Sequence, residues 1–346
     1  MNSFGQLFRV SIYGESHGEG IGVVIDGCPV GIELETEDFL FDLSRRRAGK
    51  TGTTARLEKD IPFILSGIYE KKTTGAPINI FFKNENTDSK VYKDFKNHPR
   101  PGHSDYTAGE KYGGFNDGRG GGTFSGRVTL GLVAAGVVAK KILRKNLKDI
   151  EIKSRIISLG DLMLTDNNNF ENKEIDEKVI EKYLEKIQNE GDSVGGIIEC
   201  RGIHIPKSLG EPFFDSVESI ISHLVFSVGG VRGIEFGSGF ENSRMKGSRC
   251  NDMIIDEYGK TLTNNCGGIN GGITNGNEIV FRTAVKPTAS IFKEQSTYSF
   301  TEKKVSPLMI KGRHDTAFVL RVPVVIEACL AIGLADLYLR NKVIKI

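Results

Sequence analysis

Two segments, residues 127–143 and 322–338, carry apolar side chains on almost every face of a helix, and they constrain the fold more than any other feature. A helix that is apolar all round has to be surrounded by protein or by lipid. Neither segment reaches the roughly 20 uncharged apolar residues of a membrane span, and the second contains Glu327 and Asp336. We therefore predict two helices buried inside the protein, with no membrane as a partner.

Short runs of β-branched and aromatic residues predict strands around these helices. Residues 8–12 and 22–25 flank the loop Gly14-Glu15-Ser16-His17-Gly18, which we expect to join two strands. Further strands are predicted over residues 62–67, 78–82 and 193–205. Two buried helices, several hairpins and many glycine turns favour an α+β fold, in which helices are sandwiched between sheets.

Two amphipathic segments predict peripheral helices. Residues 36–47 begin with a Thr-x-x-Phe cap candidate and end in three arginines, for which compensation of the helix dipole is one interpretation. Residues 175–187 have an apolar stripe opposite a charged face, and we expect that helix to be structural.

Composition indicates a single domain over residues 1–346, because no Pro-, Ser- or Gly-rich linker divides the chain. The formal net charge is only +2, so anions have to be attracted by local arginine clusters, and nucleic acid is not an expected partner. The five cysteines form no CxxC pair, which is typical of reduced thiols in a cytoplasmic protein. The spacings HxH and HExxH are also absent, and no metal is expected, although a scattered site stays open.

Glycine is concentrated in four loops, residues 14–22, 113–126, 229–239 and 267–276. Neither a GxGxxG turn followed by a helix nor a GxxxxGK[ST] loop occurs. Instead His17, His103 and His314 each stand beside glycine or arginine, which indicates acid–base chemistry on an anionic substrate. Ser16 next to His17 leaves a serine nucleophile as an alternative, but no GxSxG elbow supports it.

Eight uncommon motifs resemble the chorismate synthases, in order, up to about Tyr338. They are GESHG at Gly14, RRR at Arg45, TTGAPI at Thr73, RPGHSDYT at Arg100, RGGG at Arg119, TNNCGGINGGITNG at Thr263, KPTAS at Lys286 and GRHD at Gly312.

The resemblance implies a β-α-β sandwich, in which a helical layer lies between two antiparallel sheets, and a cytoplasmic homotetramer. It also implies a lyase of the shikimate pathway, which serves aromatic amino acid biosynthesis. The reaction is an anti-1,4-elimination of the 3-phosphate and the C6 pro-R hydrogen from 5-enolpyruvylshikimate 3-phosphate, giving chorismate and phosphate. Reduced FMN is the implied cofactor, without net redox change, and NADPH is a candidate reductant of the flavin.

The resemblance also implies roles for individual residues. His17, His103 and Asp315 match catalytic positions: a protonated His103 would face the leaving phosphate, and Asp315 would assist removal of the C6 proton. Substrate anions are expected at Arg46, Arg56, Arg100 and Arg127, and NADP at Arg46. FMN contacts are expected at Thr123, Phe124, Ser125, Gly229, Gly230, Gly271, Lys286, Pro287, Thr288, Ala289, Ser290 and Arg313.

Three segments depart from the family pattern. Residues 123–127 read Thr-Phe-Ser-Gly-Arg where many members have Arg-Ser-Ser-Ala-Arg, Gly52 replaces a frequent arginine, and residues 228–230 read Val-Gly-Gly rather than Ile-Asn-Ala. Two other functions stay open: an NAD(P)H-dependent flavin reductase, and a non-catalytic module that binds phosphate or a nucleotide.

Overall fold

The computed structural model describes residues 2–88, 94–165 and 176–344, and two five-stranded antiparallel sheets dominate it. The strands are β1 Ser3–Phe4, β2 Arg9–Gly14, β3 Gly20–Asp26, β4 Phe63–Ser66, β5 Ile68–Tyr69, β6 Lys72–Thr73, β7 Ile78–Lys83, β8 Glu151–Leu159, β9 Leu162–Met163, β10 Gly196–Ile203, β11 Val231–Phe236, β12 Ile269–Asn270, β13 Ile273–Thr274, β14 Ile279–Val285, β15 Gln295–Ser299 and β16 Lys304–Leu308. The helices are α1 Glu37–Arg46, α2 Asp105–Lys111, α3 Thr129–Asn146, α4 Glu177–Asn189, α5 Val217–Phe226, α6 Gly247–Cys250 and α7 Pro323–Ile344.

The first sheet has the order β1-β2-β3-β7-β4, and the inner faces of its central strands are buried. Ile21 pairs with Phe82 and Val23 with Ile80 across β3 and β7, and all four side chains are fully buried. Because successive side chains of a strand point to opposite faces, this register places one apolar row against the helices.

The second sheet has the order β11-β14-β10-β8-β9. Ile198 and Cys200 on β10 are fully buried, and Phe281 of β14 pairs with Cys200. Helices α3 and α7 lie between the sheets, with α3 packed on β2 and β3 and α7 packed on β8 and β10. The predicted α+β sandwich of helices between antiparallel sheets is thus confirmed.

The acids on buried α7 are both bound by partners from other elements. Glu327 accepts hydrogen bonds from Arg45 of α1 at 2.6 and 2.7 Å, from Lys140 of α3 at 3.3 Å and from Ser154 of β8 at 2.8 Å. Asp336 accepts the backbone N–H groups of residues 6–8 through one oxygen. These contacts satisfy charges that would otherwise be costly to bury.

Most of the predicted helices and strands occur in the structure, with small shifts at their ends. The two helices apolar all round are α3 and α7, and the loop Gly14 to Gly18 joins β2 and β3. The cap prediction at Thr36 is wrong: its side chain makes no capping bond, and Asp38 instead accepts the Glu35 N–H at 2.8 Å.

Residue 175, where the predicted amphipathic helix began, lies outside the described residues. In the structure α4 is capped by Asp176. Within the described ranges, no helix is both long and apolar enough to cross a membrane.

Candidate active site

A cavity of about 430 Å³ lies where loops from both sheets meet the end of α1 and the start of α7. Its volume is typical of small-molecule sites, which hold roughly 300–1,000 Å³. Among the described residues, its lining contains nine permanent cations and three carboxylates. The cations are Arg46, Arg47, Arg56, Arg100, Arg127, Arg232, Lys286, Arg313 and Arg321, and the carboxylates are Glu58, Asp60 and Asp315. A chain of small net charge therefore concentrates positive potential at one place.

Most of the site residues named from the sequence line this cavity. They are Arg46, Arg56, Arg100, Arg127, His103, Asp315, Arg313, Phe124, Ser125, Gly229, Gly230, Lys286, Pro287, Thr288, Ala289 and Ser290.

Three of the named residues lie elsewhere. His17 is buried directly behind the lining, because a Cβ on Gly120 would stand 2.4 Å from its ring. Thr123 lines an adjoining cavity of about 350 Å³, which shares Phe124, Ser125 and Gly229 with the first. Gly271 lies in the turn between β12 and β13, where a Cβ would meet open space.

Arg46 lines the cavity and has two unused donors. It is the last residue of α1, its side chain is 2% exposed, and its nearest carboxylate is Asp60 at 3.9 Å. Its Nε and Nη1 atoms have no hydrogen-bond partner in the protein. Burial, and then the charge of Arg321, lower the pKa of Arg46 to about 9. Such an arrangement is costly unless a ligand anion completes it.

Arg56 and Arg127 are held by protein groups. Arg56 donates to the Ser16 carbonyl and hydroxyl at 2.9 Å and to Glu58 at 2.8 Å. Arg127 donates to Asp60 at 2.9 Å and to the Asn84 side chain at 2.6 Å. Burial alone would raise the pKa of Glu58, but Arg127, the Glu85 N–H and Arg56 together lower it. These contacts fix the direction of both guanidinium groups before a ligand arrives.

His103 and Arg100 share Asp105, which is the first residue of α2. Asp105 Oδ1 lies 2.7 Å from His103 Nδ1 and 2.7 Å from Arg100 Nη2, and its Oδ2 accepts Arg100 Nε at 2.7 Å. Arg100 Nη1 reaches Ser290 Oγ at 3.0 Å. Most hydrogen-bond donors of Arg100 are thus already used by groups of the protein.

The histidines are held towards their neutral forms. Burial, then Arg56 and Arg119, lower the pKa of His17 to about 4, and burial followed by Arg100 lowers that of His314 to about 4. Burial also lowers the pKa of His103, although Asp105 opposes the shift. Protonation of His103 beside the leaving phosphate stays a prediction, which needs a bound anion to offset the burial and the Arg100 charge that lower its pKa.

Asp315 is held by Thr54 and Arg321, which the sequence motifs did not predict as site residues. Its Oδ1 accepts the Thr54 N–H at 2.8 Å, and its Oδ2 accepts Arg321 Nη1 at 3.1 Å. Arg321 also donates to the Arg46 carbonyl at 3.0 Å.

Within the described parts of the chain, no group of three or more His, Cys, Asp and Glu side chains is arranged to hold a metal ion.

Known proteins resemble this chain over nearly its full length. The family model described as chorismate synthase matches residues 8–339. A chorismate synthase of Chitinophaga pinensis is 53% identical over 342 residues, covering 99% of this chain and 98% of that protein. One from Pyrococcus abyssi is 42% identical over 349 residues, with 98% of each chain covered.

A solved structure gives the same result. The one titled "Crystal Structure of Chorismate Synthase" superposes with a TM-score of 0.75 at 29% identity, covering 98% of this chain and 93% of that one. The chain therefore belongs to the chorismate synthase family.

Proposed function

We propose that the arginine-lined cavity is the place where this lyase of the shikimate pathway converts 5-enolpyruvylshikimate 3-phosphate into chorismate and phosphate. The observation that carries the proposal is the buried Arg46 guanidinium, two of whose nitrogens have no partner in the protein. The substrate has two carboxylates and a phosphate, and an anion at Arg46 would satisfy these donors. Charge-assisted pairs of this kind are among the strongest hydrogen bonds in proteins.

The residues present fit a flavin. Chorismate synthases require a reduced flavin, and we propose that it is FMN. Lys286 to Ser290 and Arg313 line the cavity, and Thr288 Oγ1 and His314 Nε2 are buried without a hydrogen-bond partner. These groups would hold the phosphate tail and the polar ring edge, together with Phe124, Ser125, Gly229 and Gly230. When bound, reduced FMN supplies electron density to the elimination and recovers it, so that no net oxidation occurs.

Loss of the 3-phosphate is assisted by fixed positive charge. As the C–O bond breaks, its electron pair moves onto the phosphate oxygen, and negative charge grows there. Arginines fixed before the reaction stabilise that charge without reorganising. A bound dianion also raises the pKa of His103 and His17, because a nearby opposite charge favours the imidazolium form. His103 would then donate a proton to the departing phosphate.

Removal of the C6 pro-R hydrogen is assigned to Asp315, which lines the same cavity. Asp315 is held by the Thr54 N–H and by Arg321, which orients one carboxylate edge towards the cavity. We propose Asp315 as the base that assists this proton transfer. Rigid positioning matters here because proton transfer needs a separation of about 3 Å.

The assembly and location are also proposals. We infer a homotetramer in the cytoplasm, one domain over residues 1–346, and, where the enzyme reduces its own flavin, NADP binding at Arg46. Gly271 and Thr123, which lie outside the main cavity, keep their predicted FMN contacts only if another part of the assembly or a loop movement brings them near.

An anaerobic assay tests the proposal. Purified protein is given 5-enolpyruvylshikimate 3-phosphate and chemically reduced FMN, and chorismate absorbance and phosphate release are followed together. We expect equimolar products that disappear when reduced FMN is omitted. Folded, FMN-binding protein that gives no product would overturn the proposal and favour a binding module. Repeating the assay with NADPH and oxidised FMN shows whether the chain also reduces flavin.

A further inference from the structure

Asp105 is the residue nearest to His103 that no part of the proposed mechanism uses. It lies at the start of α2, its side chain is 8% exposed, and it contacts both His103 and Arg100. Arg100 in turn lies over the Phe95 ring, with its guanidinium carbon 4.4 Å from the ring centroid. Asp105 Oδ1 is therefore shared between the stacked arginine and the imidazole.

The distances around His103 Nδ1 decide which ring nitrogen carries the proton. Asp105 Oδ1 lies 2.7 Å away and accepts only, whereas Arg100 Nη2 lies 3.0 Å away and donates only. An unprotonated Nδ1 would place its lone pair against a carboxylate oxygen. Arg100 Nη2 has a shorter partner in that same Asp105 oxygen, at 2.7 Å. A proton on Nδ1 removes that repulsion, and in this tautomer Nε2 carries the lone pair.

The other ring nitrogen, Nε2, lies beside the glycine loop at residues 120–122. His103 lines the cavity, and a Cβ on Gly121 of the facing loop would stand 3.7 Å from both Cε1 and Nε2. Gly121 has a φ of +84°, a conformation that glycine adopts freely. No side chain of that residue thus covers the Nε2 edge of the ring.

We propose that Asp105 is a positioning residue, which fixes His103 in the Nδ1–H tautomer, turns Nε2 towards the substrate and orients Arg100 beside it. Neutral His103 then has to take up a proton at Nε2 before it can give one to the leaving phosphate. Asp105 stabilises the resulting imidazolium ion through the Nδ1–H bond, in the way that a buried carboxylate orients other catalytic histidines.

The charged groups around His103 raise or lower its pKa. Arg100 and Lys286 lower its proton affinity, and Asp105 raises it. His314, from the loop before α7, faces it as a further titratable group. Asp105 is thus the anion that opposes two cations, and its removal leaves nothing among these groups to favour the protonated ring.

The tautomer itself is measured in the ligand-free protein, where no turnover is needed. The chain has only six histidines, so nitrogen-15 NMR of histidine-labelled protein gives few signals, and a His103→Gln variant assigns those of His103. We expect the Nδ1–H tautomer in the wild type. In Asp105→Asn, where Arg100 Nη2 can donate to Nδ1, we expect the Nε2–H tautomer. An Nε2–H tautomer in the wild type overturns the proposal, even if the variant fails to fold.

Kinetics supply a second readout, which rests on the proposed function. Asp105→Asn should lower kcat by roughly 100-fold or more, the usual contribution of a positioned proton donor. It should also move the alkaline limb of the pH profile of kcat/KM to lower pH, because the protonated ring is no longer favoured. The control is Asp26→Asn, which removes an exposed Asp–Arg pair on β3 and should leave both unchanged.

The two experiments distinguish failure of the proposed function from failure of the positioning role of Asp105. A tautomer that switches in Asp105→Asn without loss of kcat would contradict the role of His103 in the elimination, but not the positioning by Asp105. A tautomer that stays the same in both proteins would overturn the positioning itself.

Discussion

Three consecutive arginines at the end of α1 reach three different environments. Arg45 binds Glu327 with both terminal nitrogens, Arg46 is buried at the cavity with two unused donors, and Arg47, which also lines the cavity, donates to the Lys59 carbonyl. Successive residues of a helix point about 100° apart, so one run of identical residues can serve unrelated purposes. Compensation of the helix dipole, our interpretation from residue type alone, leaves out this difference.

Arg46→Met should keep or raise the stability of the protein and lower its activity. The change removes a buried charge whose burial outweighs its contact with Asp60 at 3.9 Å, as the lowered pKa of Arg46 indicates, and Asp60 keeps Arg127 as a partner. We expect the free energy of unfolding of the ligand-free protein to stay equal or rise. We also expect kcat/KM to fall by about 100-fold or more, because a donor to a developing anion is lost. Urea denaturation and the anaerobic assay measure the two effects.

Arg45→Met is the matched control for that prediction. It removes two bonds to buried Glu327, which keeps Lys140 and Ser154 as partners. Unfolding free energy should fall by about 3 kcal/mol, while kcat/KM of the folded protein changes little. Equal effects of the two substitutions would contradict our assignment of one arginine to the core and the other to the ligand.

The lowered pKa of His17 predicts a dependence of stability on pH. An ordinary histidine titrates near 6.5, and His17 titrates near 4 in the folded protein. The unfolded chain therefore holds more protons between these values, and stability is lost as the pH falls from 6.5 to 4. The cause is burial of the imidazole, followed by the charges of Arg56 and Arg119.

His17→Asn should flatten that dependence. Urea denaturation between pH 4 and 7 should show a smaller loss of stability in the variant than in the wild type. His204→Asn serves as the control, since His204 is at the far end of β10 and bonds the Asp149 carbonyl. The same pH dependence in wild type and His17→Asn would refute the buried, neutral His17.

At the scale of elements, sequence periodicity predicted the helices that matter most for the core but not their contacts. Glycine 136 is one example, because its position in an apolar run gives no hint that α7 crosses there. A Cβ at Gly136 would lie 2.4 Å from the Ala328 Cβ and 2.7 Å from its Cα. Close approach of two backbones is a tertiary property, and only the fold reveals it.

Two glycine-to-alanine changes test this packing. Gly136→Ala should destabilise the protein by about 1–3 kcal/mol, because overpacking outweighs alanine's better helix propensity. Gly109→Ala, in α2, meets nothing within 4 Å and should stabilise by about 0.5–1 kcal/mol. Thermal unfolding measures both. Stabilisation by both changes would mean that α3 and α7 lie further apart than the structure has them.

Some elements were missed although the sequence contained their signals. Helix α5 follows Ser216, whose side chain accepts the Ser219 N–H at 3.1 Å as a cap, and β14 is rich in β-branched residues. The wrong cap at Thr36 has a different cause: that residue already has helical backbone angles, φ −56° and ψ −38°, and its side chain makes no capping bond. Local patterns place elements, whereas caps depend on backbone angles that the pattern does not contain.

At the scale of the whole molecule, local sequence patterns could not predict the strand order or the composition of the site. Strand β14 pairs with β10 and β11, which lie far from it in sequence. The cavity likewise joins residues 46, 100, 127, 286 and 313. The resemblance to a family named these residues, but the unused donors of Arg46 and the contacts of Asp105, Thr54 and Arg321 needed the structure.

The shared core predicts cooperative unfolding. Residues of both sheets and of α1, α3, α5 and α7 belong to one hydrophobic cluster. We propose that residues 1–346 form one unit, so that amides of β3 and β10 lose protection at the same urea concentration. Hydrogen exchange followed by mass spectrometry measures this loss. Two well-separated transitions would show two domains instead.

A crystal structure with FMN and a substrate analogue would test the central claim most directly. We predict that an anionic group of the bound molecules lies within hydrogen-bond distance of Arg46 Nε or Nη1, that the flavin contacts residues 286–290, and that His103 Nε2 faces the phosphate. Both molecules bound outside the arginine-lined cavity, with Arg46 still unpaired, would contradict the account.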